Sequence, residues 1–75
     1  MTTSELTAAI DVNIQLLDGI LYQMASDASE AASASEEGRT NEAIGWLSTI
    51  KTSLVEAEAL LGATIVINKA RRASL

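Results

Sequence analysis

The sequence reads as all-α: an antiparallel two-helix hairpin that dimerises into a four-helix bundle. Three features point there. No proline interrupts the 75 residues, so nothing forces a helix to break. In two long segments, apolar residues recur at alternating steps of four and three, the pattern of a packed helical seam. Between the segments stands one cluster of turn and cap residues, Gly38 followed by Thr40 and Asn41.

The first helix is expected over residues 4–36. Thr2 and Glu5 have the T-x-x-E spacing of a capping box. Its seam is Ile10, Ile14, Leu17, Leu21, Met24, Ala28 and Ala31. The stretch SDASEAASASEE continues the period with alanines in place of large residues, and alanine is the best helix former. Gly38 suits a left-handed C-terminal cap, with the turn over residues 37–40.

The second helix is expected over residues 41–70. Thr40 or Asn41 serves as its cap, and Glu42 sits favourably in its first turn. Its seam is Ala43, Leu47, Ile50, Leu54, Ala57 and Leu61. Thr64-Ile65-Val66-Ile67 is β-branched and suits a strand. A lone strand has nothing to pair with, and Thr64 and Asn68 continue the heptad, so helix is expected there too.

A short connection between two long helices makes a hairpin. The seams then pair Ala43 with Ser35, Leu47 with Ala31, Ile50 with Ala28, Leu54 with Met24, Ala57 with Leu21, and Leu61 with Leu17. Large faces small in half of these pairs, which allows interdigitation. Trp46, the single tryptophan, falls beside the seam near the turn, opposite the alanine-rich part of helix 1. There it either packs as core or anchors a partner.

Helix 1 carries a second stripe, Leu6, Ala9, Asn13, Leu16 and Ile20, and helix 2 has Leu60 and Ile67 off its seam, with Ile44, Val55 and Val66 on another flank. That is more apolar surface than one neighbouring helix covers. A homodimer is expected, with Leu6, Ala9, Asn13, Leu16, Ile20, Leu60 and Ile67 at its interface. Asn13 is either a register-fixing polar residue within that interface or a half-exposed residue at the bundle end. Size argues the same way. A single domain this short buries about 60% of its unfolded surface, and small folds usually add disulfides, a metal or a second subunit. The chain has no cysteine and no histidine, which leaves the subunit.

The same absences exclude a Ser-His-Asp arrangement, an H-E-x-x-H site, a thiolate nucleophile and the usual zinc or iron ligand sets. The carboxylate pairs Asp27/Glu30 and Glu36/Glu37 sit among small residues with no pocket to tune them. The four glycines are scattered, and no calcium-loop order is present. No enzymatic activity, cofactor or metal is expected.

A net charge of −5 with five cations argues against a nucleic-acid partner. No apolar run approaches the ~18 residues that span a bilayer, and the polar face of helix 1 is acidic where a surface-bound helix wants bases. The start, Met-Thr-Thr-Ser-Glu, lacks the basic residues of a secretory signal. A soluble cytoplasmic protein is expected.

The charge is lopsided. Residues 1–38 hold acids and no Lys or Arg, whereas Lys69, Arg71 and Arg72 cluster near the C-terminus. The hairpin brings those bases near Glu5 and Asp11 and leaves the turn end acidic, with Asp27, Glu30, Glu36, Glu37 and Glu42 around Arg39. An acidic end is a solvated, solubilising surface or a docking site for a basic patch. Tyr22 lies on the polar face of helix 1. The candidate partner-binding residues are Trp46, Tyr22, Glu36, Glu37 and Arg39.

The stretch R-x-N-E-A-I-G-x-L, Arg39 to Leu47, followed by E-A-E-A-L-L at 56–61, resembles short helical-hairpin proteins encoded by phages and prophages. The resemblance covers residues 36–72. Small acidic proteins of that kind include host-factor inhibitors such as anti-CRISPR proteins and quorum-sensing anti-activators. It implies a module that binds and blocks a host protein in the host cytoplasm. The alternative is a structural adaptor or a subunit of a larger helical complex. A nucleic-acid mimic is a third reading, thinly supported by ten acids against five bases.

Overall fold

A computed structural model describes all 75 residues. Two helices of equal length, α1 (Thr3–Glu36) and α2 (Thr40–Ala73), pack antiparallel as a hairpin without strands. The rod measures 55 by 15 by 12 Å over its Cα atoms. Its radius of gyration is 16.9 Å, against roughly 11 Å for a compact chain of this length, so it has little interior. No helix is long and apolar enough to cross a membrane.

The ends of α1 follow from local chemistry. The Glu5 N–H donates to Thr2 Oγ1 at 3.1 Å and the Thr2 N–H donates to Glu5 Oε1 at 3.2 Å, a complete capping box. At the other end Gly38 adopts φ +77°. That lets the Arg39 N–H reach the Ala34 carbonyl at 2.8 Å and the Gly38 N–H reach Ser35 at 3.1 Å, the paired bonds of a Schellman cap.

The start of α2 differs from expectation. Because the Schellman cap ends at Arg39, the helix begins at Thr40, one residue before the expected start, and runs to Ala73, so Thr40 and Asn41 lie inside its first turn. Arg39 takes the N-cap position with no side-chain cap bond. Its guanidinium instead ties the corner by pairing with Glu37 at 2.7 Å and with Glu42. Residues 64–67 are helical, as their heptad continuity requires, and the Thr64 hydroxyl donates to the Leu60 carbonyl at 2.7 Å.

The seam also differs. The residues turned inward are Leu6, Ile10, Asn13, Leu17, Ile20, Met24, Asp27, Ala31 and Ala34 on α1. On α2 they are Ala43, Trp46, Ile50, Ser53, Ala57, Leu60, Thr64, Ile67 and Arg71. Four of the seven expected seam positions on α1 and three of the six on α2 are therefore correct. Ile14, Leu21, Leu47, Leu54 and Leu61 lie outside it, all 45–51% exposed. Two seams sharing every second position differ by a helix rotation of only about 50°. The observed one brings the Asn13 Nδ2 donor to Thr64 Oγ1 at 3.1 Å. This bond fixes a register one residue from the expected one: Ala34 faces Ala43, Ala31 faces Trp46, Ile20 faces Ala57, and Leu6 faces Arg71. The alanines permit close approach at the turn end, and the indole covers the thin part of α1.

The core this creates is small. Its fully buried apolar residues are Leu6, Ala31, Ala34, Ala43 and Ala57. A buried methyl or methylene contributes about 0.8 kcal/mol, so four alanines and a leucine stabilise a lone hairpin only modestly.

Candidate interaction surfaces

The rod has two broad faces, one on either side of the seam. The first carries a shallow cleft of about 590 Å³ lined by Leu16, Ile20, Glu56, Ala59, Leu60 and Ala63. The second lies across the seam. Positions seven apart share a helical face, so Ile14 and Leu21 of α1 align there with Leu47, Leu54 and Leu61 of α2. Ile65 adjoins them at 59% exposure. Ile14 lies beside Leu61 and Leu21 beside Leu54, so the two rows merge into one apolar stripe along most of the rod.

The turn end is a third surface. A hollow of about 340 Å³ is lined by Glu42, Gly45, Trp46 and Thr49. Trp46 is half-buried at the position level with Ala31, and it lines this hollow. Glu36 and Glu37 are exposed. Arg39 is already engaged: the hydrogen bonds its guanidinium donates to Glu42 first, then to Glu37, raise its pKa above the ordinary value. Tyr22 is 78% exposed and distant from the turn, on the outward polar face of α1. Trp46, Glu36, Glu37 and Arg39 thus cluster, while Tyr22 stands apart.

Of the residues expected at a dimer interface, Leu6, Asn13, Ile20, Leu60 and Ile67 face the other helix of their own chain. Ala9 and Leu16 flank them on the cleft side. The expected ion pairing between the chain ends is absent: the two ion pairs both belong to Arg39, and Arg71 donates instead to Asn68 at 3.0 Å. Lys51, Lys69 and Arg72 are exposed and free.

One residue escaped sequence reasoning. Asp27 is 2% exposed. Its Oδ1 accepts from Gln23 Nε2 at 3.0 Å, and its Oδ2 has no partner. The available signal was its step of seven from Ile20 and from Ala34, which puts all three on one line.

Compared with protein-family models, curated proteins and solved structures, the chain matches none of them.

Proposed function

We propose that this chain is a non-enzymatic protein-binding module. It pairs with a second copy into a four-helix bundle, and it binds and blocks another protein in the manner of small phage inhibitors. The observation that carries the reading is the stripe of Ile14, Leu21, Leu47, Leu54, Leu61 and Ile65, each about half exposed. Soluble monomers rarely leave a contiguous apolar face of this extent uncovered. With that face occupied, the turn end remains for the blocked protein: Trp46 beside its hollow, flanked by Glu36, Glu37 and the Arg39 corner, complementary to a basic, partly apolar patch.

A subunit or adaptor of a larger helical complex is the second reading, and the same stripe supports it if a different chain covers it. Expression alone separates the two. A blocking dimer is folded, helical and monodisperse; an orphan subunit is weakly helical or aggregates until its partner is supplied. Once a target is in hand, replacing Trp46, Tyr22, Glu36, Glu37 and Arg39 together by alanine should abolish its binding. Undiminished binding by that variant would remove the turn end from the proposal.

A further inference from the structure

Resting on the self-pairing proposed above, the charge pattern goes further and fixes how the copies sit. We propose that the second copy lies on the Leu21/Leu54 stripe with the two rods antiparallel, each helix against its own counterpart, around a two-fold axis near Leu54. The area fits. A face of a rod 55 by 15 Å offers roughly 800 Å², about what each partner buries in a stable complex.

Two symmetric stackings bury the stripe. If the two-fold runs along the rod, like ends meet. The acidic turns then lie side by side, and Asp18 comes level with Glu58 of the second copy, acid against acid. If the two-fold crosses the rod, unlike ends meet. The turn end with Glu36, Glu37 and Glu42 then comes level with the free Lys69 and Arg72 of the second copy. Around Leu54, Leu47 faces Leu61 of the second copy, and Lys51 faces its Glu58. Symmetry makes each of these contacts twice. On α1 the same axis passes near Leu21, offset by about two residues, or ~3 Å. It sets Asp11 and Asp18 level with Ser35 and Ala28 of the second copy, so neither acid is level with another. Lys51, the one cation between Arg39 and Lys69, gains a partner only in the crossed stacking.

The arrangement is tested with a spin label on an Ala70→Cys variant, which is clean because the chain has no native cysteine and Ala70 is exposed away from the stripe. Sixteen residues from the axis on each side, at 1.5 Å per residue, predict a label separation of roughly 50 Å. A separation below about 30 Å would overturn the crossed stacking while leaving self-pairing intact. A monomeric mass with no dipolar signal would overturn self-pairing itself. The choice of face is tested separately. Lys51→Glu should weaken the dimer roughly tenfold in Kd, as two lost surface pairs replaced by repulsion imply, and adding Glu58→Lys should restore it. A double variant as weak as the single one would exclude this face.

Discussion

Three residues show how little of this molecule's energetics depends on bulk. Gly38 has open space around its Cα, yet its φ of +77° makes any side chain strained. Gly38→Ala should therefore cost about 1–2 kcal/mol. Gly62 has equal space in an ordinary helical conformation, so Gly62→Ala should stabilise by about 0.5–1 kcal/mol. Chemical denaturation at fixed protein concentration measures both, and the signs must be opposite. Asp27 is the other informative residue. A buried carboxylate with one oxygen unpartnered loses hydration that Gln23 only partly replaces. Asp27→Leu should raise stability by about 1–3 kcal/mol, some 4–8 °C in Tm per kcal/mol for a chain this short. A lower Tm would mean that the carboxylate finds a partner in solution.

At the scale of the helices, the capping box, the glycine turn and the continuation of α2 through its β-branched run were all readable, because each depends on neighbours in sequence. The seam was only half readable. Ile10, Leu17, Met24 and Ala31 belong to both possible seams, as do Ala43, Ile50, Ala57 and Thr64. The remaining positions decide between them, and there the apolar pattern misleads. Ile14, Leu21, Leu47, Leu54 and Leu61 look like core beside Asn13, Asp27 and Ser53, yet the polar set is inside. What tips the balance is a long-range fit, the Asn13–Thr64 bond across 51 residues and the alanine contacts at the turn end, which a single-helix pattern does not contain. The bond is testable by a double-mutant cycle. Asn13→Leu and Thr64→Val should show a coupling of about 0.5–1.5 kcal/mol. Strict additivity would mean that the pair does not set the register.

For the whole molecule, the same exchange explains the surface. The hairpin closes over its more polar seam and leaves the more apolar one facing out. In a monomer this would be a poor use of hydrophobic residues, since the residues that become buried are mostly alanine and the leucines of the stripe stay half exposed. In a bundle both seams are used, one within each chain and one between chains. The candidate turn-end site was legible as a charge cluster, and the structure adds the Trp46 hollow and the Arg39 corner. The placement of the pairing surface was not legible, because it depends on which seam the chain keeps for itself. Light scattering coupled to size-exclusion chromatography, with circular dichroism on the same fraction, is the direct measurement. A strongly helical species at twice the 7.9 kDa chain mass is predicted, converted toward monomer by Leu54→Lys. A stable, fully helical monomer at the same concentration would contradict it.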